Sequence, residues 1–174
     1  GETAAPSPTP TATETAAATA FPAEPPLTEL FSDNFDTGAL YLWTLGAGWG
    51  LVPSEGGQAL QVINSDAPVT FVHNTLTDVA VQARFQFDTG TARLSVREMG
   101  TDSYNLRLNV NGEVGLYRGD ILLGSATVSP NTTGIWRTLR LSAIGDLVRV
   151  AIDGIEVIAV QDAAPLPQGT ISFA

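Results

Sequence analysis

The sequence predicts an all-β fold in which two antiparallel sheets pack face to face as a sandwich. Apolar residues recur at every second position in many short segments, and turn-forming residues separate these segments at intervals of roughly eight to twelve residues. No segment of the folded part shows sustained helical periodicity. The 174-residue chain is long enough for one domain with a substantial core.

The middle of the chain carries the clearest strand patterns. In VAVQARFQF (79–87) the valines and phenylalanines share one face, and the glutamines and Arg84 share the other. ARLSVRE and YNLRLNV alternate in the same way. Asn111-Gly112 then predicts a tight hairpin turn, because both residues tolerate a positive φ.

The last third of the chain continues the pattern. WRTLRLSAIGDLVRVAIDGIEVIAV predicts a three-stranded meander that reverses at Gly145-Asp146 and at Asp153-Gly154. The strands predicted after the hairpin are 121–128, 135–143, 147–152, 155–160 and 169–173.

Composition excludes several classes of function. The formal net charge is −10, from 18 Asp and Glu against 8 basic residues, which disfavours a nucleic-acid backbone or an anionic membrane surface as partner. All eight basic residues are Arg, so Schiff-base and P-loop chemistry that depends on Lys is excluded. Cysteine is absent and His73 is the single histidine, so no thiolate or histidine-rich zinc site is expected. No apolar run approaches the roughly 18 residues of a membrane-spanning helix.

Residues 1–26 are predicted to be a linker or stalk before the sandwich domain, which takes residues 27–174. The stretch is dominated by Ala, Thr and Pro, has one aromatic and no basic residue, and cannot bury enough apolar surface to fold alone. Such segments hold a domain away from a cell wall or a neighbouring domain. The protein is therefore expected to be extracellular or tethered at a bacterial cell surface. The alternative is a disordered tail with no spacer role.

Several segments together resemble a known superfamily. They are LFSDNFDTG, WTLGAGWGLV, SYNLRLNVNGEVGLYRGD, GIWRTLRLSAIGDLVRVAIDGIEVIAVQD and PLPQGTISF. The most specific part is a strand opened by Trp136, a turn at Gly145-Asp146 and a strand that closes on Asp153-Gly154. In this order they resemble the concanavalin A-like lectin/glucanase superfamily, and within it the laminin-G-like and three-keto-disaccharide hydrolase-like bacterial domains. The resemblance covers the whole predicted domain and implies a jelly-roll sandwich.

The resemblance also implies a final strand, carrying an Asp, that would pair beside the first strand near LFSDNF. The sequence stops at Ala174, directly after the strand GTISF. We therefore expect either a truncated sandwich without its last strand or an open edge that a segment of a neighbouring chain fills, since unpaired edges invite pairing. Self-association through such an edge is an expected partner interaction.

Polar residues of the middle strands are candidates for glycan contacts. Sugar hydroxyls are bound by planar amide and guanidinium groups together with aromatic stacking, and strand alternation directs such groups toward one open sheet face. The candidates are Arg93, Arg97, Asn105, Arg107, Asn109, Tyr117 and Arg140, with Trp49 between two glycines as an exposed aromatic residue. The alternative is an ordinary outward surface on which the arginines pair with the plentiful carboxylates.

The carboxylates give little support to catalysis. Glycosidases of this superfamily carry E-x-D-x-x-E on one strand, because retaining hydrolysis needs an acid and a nucleophile roughly 5 Å apart. No such string occurs, and its nearest approach is Glu98 with Asp102. We therefore expect no catalytic residues.

The acidic turn SDNFDTG offers oxygen ligands for a structural calcium ion. These ligands would come from Asp33, Asn34 and Asp36. The superfamily places such an ion near its first and last strands, but the Asp of the final strand is absent here. The alternative is Asx-turn hydrogen bonding at a strand end. No other cofactor is expected.

These observations predict a non-catalytic carbohydrate-binding or adhesion module whose partner is a glycan or a cell-surface polysaccharide. Two alternatives belong to other classes. One is a structural or assembly module completed by a strand of a neighbouring chain, which large oligomers would favour. The other is a glycoside hydrolase-like enzyme acting on keto-disaccharides, which turnover abolished by Glu98→Gln or Asp102→Asn would favour.

Overall fold

The computed structural model describes residues 21–38, 40–63, 65–73 and 75–174, so most of the predicted linker lies outside the described residues. This part of the chain holds thirteen strands and no helix. The strands are β1 (Trp43–Leu45), β2 (Trp49–Ser54), β3 (Gly57–Val62), β4 (Val69–Phe71), β5 (Val79–Phe85), β6 (Thr91–Met99), β7 (Asp102–Asn109), β8 (Glu113–Arg118), β9 (Ile121–Thr127), β10 (Arg137–Ile144), β11 (Leu147–Ile152), β12 (Ile155–Gln161) and β13 (Thr170–Phe173).

Two antiparallel sheets and one separate hairpin contain these strands. The larger sheet has seven strands in the order β1-β4-β13-β6-β7-β8-β9, the smaller has four in the order β12-β11-β10-β5, and β2 pairs with β3 alone. The predicted hairpin at Asn111-Gly112 joins β7 to β8, and the predicted meander is β10-β11-β12. This arrangement confirms the predicted all-β sandwich.

Strand β13 lies inside the larger sheet. Its Ser172 is opposite Thr70 of β4 on one side and opposite Ser95 of β6 on the other. Residues 30–35 (LFSDNF), near which the resemblance implies a first strand, are not in a strand, and the outer edge of β5 pairs with no strand of the described residues. Within the described residues, β5 is therefore an edge strand of the smaller sheet with one side unpaired.

The core lies between the two sheets and follows directly from the alternation of apolar residues. Leu94, Leu106 and Leu116 of the larger sheet are fully buried, as are Leu141 and Val150 of the smaller sheet. Burying a side chain of this size stabilises the fold by about 1.5–3 kcal/mol. Stability in this cysteine-free chain therefore comes from packing.

An aromatic cluster holds the segment before β1 against the larger sheet. The ring of Phe31 stacks on Phe71 with a centroid distance of 4.4 Å. The Trp43 ring lies 5.4 Å from Phe71 and 5.2 Å from Phe173. Such contacts contribute beyond the area they bury. The segment around Phe31 is therefore fixed to the domain although it forms no strand.

A hydrogen-bonded pair fixes the loop that follows β12. The Tyr104 hydroxyl donates to Asp162 Oδ2 at 2.6 Å and accepts from the Leu166 backbone N–H at 3.1 Å. Burial, followed by the hydrogen bond to Asp162, raises the pKa of Tyr104 to about 12. Arg118 donates to Asp162 as well, at 3.0 Å. The loop is thereby held across the ends of β7 and β8.

Arg97 is the clearest departure from strand alternation. The register between β6 and β7 shifts between Val96 and Met99, and Arg97 has a φ of 51°. This β-bulge turns the side chain into the interior, where it is 3% exposed. The expected placement of Arg97 on an open sheet face is thereby corrected, because the bulge reverses the face to which this residue points.

The buried guanidinium joins several separate parts of the chain. Its donors meet Thr77 O at 2.6 Å, Leu166 O at 2.8 Å, Gly145 O at 2.9 Å, Ala143 O at 3.0 Å and Asp78 Oδ1 at 3.3 Å. These acceptors lie in the loop before β5, the end and turn after β10, and the loop before β13. One side chain thus connects both sheets.

We predict that Arg97→Met destabilises the domain strongly. The variant retains much of the apolar stem but leaves buried carbonyl groups without donors, which should lower the free energy of unfolding by about 3 kcal/mol or more. Urea denaturation followed by tryptophan fluorescence measures this change. Arg84→Gln is the matched control, since Arg84 is exposed and contacts the Trp136 ring at 5.2 Å, and it should cost no more than about 1 kcal/mol. Equal effects of the two substitutions would contradict the role assigned to Arg97.

Candidate functional site

Strand register brings four of the predicted residues to one face of the larger sheet. Arg93 of β6 is opposite Arg107 of β7, and Asn105 of β7 is opposite both Ser95 of β6 and Tyr117 of β8. The leucines that alternate with them are buried in the core, so these residues face away from it. We call Arg93, Ser95, Asn105, Arg107 and Tyr117 the polar face.

A depression of about 190 Å³ lies on the polar face near the end of the sheet. It is lined by Arg93, Glu98, Ser103, Asn105, Arg107 and Asp120 together with the turn residues Gly100, Thr101 and Gly119. Sequence reasoning missed Ser103 and Asp120 as site residues and considered Glu98 only for catalysis. Alternation alone places Ser103 beside Asn105, whereas the position of Asp120 depends on the turn between β8 and β9.

Hydrogen bonds fix the polar groups at the floor of the depression. The Ser95 hydroxyl donates to Asn105 Oδ1 at 2.8 Å, and Asn105 Nδ2 donates to Ser103 Oγ at 2.7 Å. The Ser172 hydroxyl donates to the Glu98 carboxylate. Glu98 reaches this face because the bulge that turns Arg97 inward also turns the next residue outward. The floor is therefore ordered before any ligand binds.

The Tyr117 ring lies flat against the sheet because residue 115 is glycine. A Cβ at Gly115 would lie 2.5 Å from Tyr117 Cε2, which no real side chain permits. The Arg107 guanidinium packs over this ring, with its carbon 4.2 Å from the ring centroid. Gly115 thus decides that the polar face presents an aromatic surface beside Arg107.

The two arginines of the polar face have few partners inside the protein. Arg107 makes one ion pair, with Asp120 at 3.7 Å, and the Asp120 side chain is fully exposed. No ion pair of Arg93 is found among the described residues. The Nε atoms of both arginines are buried without a hydrogen-bond partner. Both side chains line the depression, so a ligand bound there meets guanidinium groups that have few partners in the protein.

The structure places the other predicted glycan contacts elsewhere. Arg140 lies on β10 of the smaller sheet, and Arg97 is buried in the interior. The indole of Trp49 donates to Ala67 O at 2.6 Å and packs edge-on against Phe173. Asn109 is on the same side of β7 as Arg107, but it lies at the end of the strand outside the depression, and its Oδ1 accepts from the Asn111 backbone N–H at 3.5 Å. The polar face thus contains only part of the predicted set.

The predicted calcium ligands are engaged with N–H donors. Asp33 accepts from the Phe35 backbone at 2.8 Å and from the Trp43 indole at 2.9 Å. Asp36 accepts from Asn34 Nδ2 at 2.8 Å and from the Gln58 backbone at 2.9 Å. The described residues include no group of three or more His, Cys, Asp and Glu suited to a metal ion. This donor set fits Asx-turn bonding, and calcium stays a prediction.

Comparison with known proteins identifies the fold. No protein-family model matches the sequence, and no curated protein matches it. The carbohydrate-binding module CBM66 from Bacillus subtilis has a TM-score of 0.61 at 14% identity, over 77% of this chain and 87% of that one. A Bacillus subtilis protein of unknown function with a galectin-like fold has a TM-score of 0.58 at 13% identity, over 77% of this chain and 82% of that one.

A third structure is a prokaryotic β-1,3-1,4-glucanase, or lichenase, derived from a mouse hindgut metagenome. Its TM-score is 0.57 at 14% identity, over 82% of this chain and 83% of that one. The fold is the concanavalin A-like jelly roll. At such identities the likeness concerns the fold, and the closer resemblance to laminin-G-like domains stays a prediction. The described residues of this concanavalin A-like domain contain no helix long and apolar enough to cross a membrane.

The end of the predicted linker lies against the smaller sheet of the concanavalin A-like domain. Glu24 accepts two hydrogen bonds from Arg140, both at 2.7 Å, and Pro22 O accepts one from Arg149. The hydrogen bonds from Arg140 lower the pKa of Glu24, although its partial burial opposes them. The face that carries Arg140 is therefore covered by the chain's own N-terminal segment.

We predict that Arg140→Gln raises the pKa of Glu24 toward its ordinary value of 4.5. Because the pKa of Glu24 is lowered in the folded chain, this contact stabilises the docked segment above the ordinary pKa, and the stabilisation is lost as pH falls through the lowered pKa. NMR titration of the Glu24 carboxyl carbon measures the change. Arg84→Gln should leave the titration unchanged. An unaltered pKa of Glu24 in the Arg140 variant would show that the pair does not form in solution.

Proposed function

We propose that this protein is a carbohydrate-binding module that binds a glycan at the depression on its polar face. The observation that carries the proposal is the grouping of two guanidinium groups, a fixed amide and hydroxyls in one depression, with the Tyr117 ring packed against one of the guanidinium groups beside it. Sugars present both hydroxyl groups and apolar ring faces. The depression offers donors and acceptors for the hydroxyl groups.

The chemistry assigns a part to each side chain. Arg93 and Arg107 supply guanidinium donors to sugar oxygens, because both side chains line the depression. Ser103 and Asn105 supply a fixed donor and acceptor pattern that discriminates between hydroxyl orientations. The Tyr117 ring packs against the Arg107 guanidinium and so holds it in position beside the depression.

Two further features belong to the same proposal. A non-catalytic role is supported by the missing E-x-D-x-x-E string. An extracellular or cell-surface location, with an adhesive function, is supported by the Ala/Thr/Pro-rich N-terminal segment. CBM66 is a carbohydrate-binding module on the same fold, which agrees with this assignment.

We expect Arg107→Ala and Tyr117→Ala each to weaken glycan binding by at least about tenfold, because the first removes a donor that lines the depression and the second removes the ring that holds this donor in position. A glycan-array screen of the full chain identifies ligands, and isothermal titration calorimetry gives the affinities. Arg84→Ala carries the same change of charge on the other sheet and should bind like the parent. Full affinity in both polar-face variants would contradict the site. No binding by a well-folded chain that self-associates would favour the assembly module, with the open edge of β5 as its contact.

A second candidate function is glycoside hydrolysis, which the position of Glu98 in the depression favours. The lichenase has the same fold, but Asp102 does not line the depression here. The other lining carboxylate, Asp120, is paired with Arg107. If the protein is such an enzyme, Glu98→Gln should abolish turnover of keto-disaccharides or β-glucans while leaving binding within about threefold. A reducing-sugar assay with the parent protein tests this function. The absence of turnover across a broad substrate panel would contradict glycoside hydrolysis.

A further inference from the structure

Two like charges face each other on the polar face. Arg93 and Arg107 are direct cross-strand partners in the antiparallel pair β6–β7. Like charges directly opposite one another on neighbouring strands destabilise a sheet. The two arginines therefore place two positive charges side by side on the polar face.

Five of the six other arginines are treated differently by the structure, and the sixth, Arg84, is exposed and packs over the Trp136 ring. These five each have a carboxylate within 2.6–3.3 Å. These pairs are Arg97–Asp78, Arg118–Asp162, Arg137–Asp153, Arg140–Glu24 and Arg149–Glu156. With 18 acidic residues for 8 arginines, carboxylates are plentiful in the chain. Yet Arg93 has no carboxylate among the described residues, and Arg107 has only the exposed Asp120 at 3.7 Å.

Two acids, Glu98 and Asp120, line the same depression, but neither forms an ion pair with Arg93. The Glu98 carboxylate accepts a hydrogen bond from Ser172 and forms no ion pair with a described residue. The Asp120 side chain is fully exposed, and such a long surface pair contributes little. A ligand can therefore displace Asp120 from Arg107 at small cost.

We infer that the glycan bound at the polar face is acidic, and that Arg93 and Arg107 together bind its anionic group. Guanidinium groups bind carboxylates and sulfate esters through charge-assisted, often bidentate hydrogen bonds, and the two side chains line the depression together. This inference rests on the proposed function and names the class of sugar, a uronate or a sulfated residue.

The net charge of −10 limits the ways in which this protein can select an acidic glycan. A negatively charged protein does not attract a polyanion over long distances, so contact with the two arginines must supply the preference. The effect should therefore depend on individual arginines and not on the total charge. A variant that loses one positive charge elsewhere then serves as the control.

The test uses ligand pairs that share a backbone and differ in charge. They are oligogalacturonate with its methyl ester, and dextran sulfate with dextran, added to a panel of neutral glycans. The full chain should bind the charged member of at least one pair at least about tenfold more tightly, and the pair that responds separates a carboxylate from a sulfate ester. Arg93→Gln should reduce this preference to less than about threefold, whereas Arg84→Gln should retain it.

Three results would overturn the inference. Binding of neutral glycans alone, lost in Tyr117→Ala, would leave the glycan site intact and show that its sugar is uncharged. A preference for dextran sulfate that persists in Arg93→Gln would show that the anion binds elsewhere. The absence of binding to every neutral and acidic glycan would remove the proposed function and this inference together. Circular dichroism of each variant establishes that the fold is retained.

Discussion

The buried guanidinium of Arg97 is the interaction on which the arrangement of the two sheets depends. It lies on the larger sheet and bonds to carbonyl groups at the end of β10, in the turn after it, and in two loops. A charge removed from water is tolerated only where its donors are satisfied, so these segments must stay together. The Arg97 side chain therefore fixes the position of β6 relative to β10.

The bulge that admits Arg97 to the interior also creates part of the candidate site. Because the bulge adds one residue to β6, Arg97 points inward and Glu98 points to the polar face, where Ser172 of β13 meets its carboxylate. A regular strand would reverse both placements. The stability of the sandwich and the composition of the depression thus have a common local cause, and a change at Arg97 would affect both.

The two sheets use their polar faces differently. On the smaller sheet, Arg140 and Arg149 bind the N-terminal segment through Glu24 and Pro22, so this surface is occupied by the chain itself. On the larger sheet, Arg93 and Arg107 keep buried donors without acceptors. Arginines of the smaller sheet thus hold the N-terminal segment, whereas arginines of the larger sheet line the depression.

The sequence by itself determined the strands, the turns and the inward apolar residues, because alternation and the Asn-Gly, Gly-Asp and Asp-Gly turns are local properties. Local alternation also placed Arg93, Asn105, Arg107 and Tyr117 on a common face. Only the tertiary structure decided that Arg140 belongs to the other sheet, since strand order depends on pairing between distant segments. It also decided that Arg97 points into the interior, because one added residue in a bulge reverses the alternation from which its outward position was predicted.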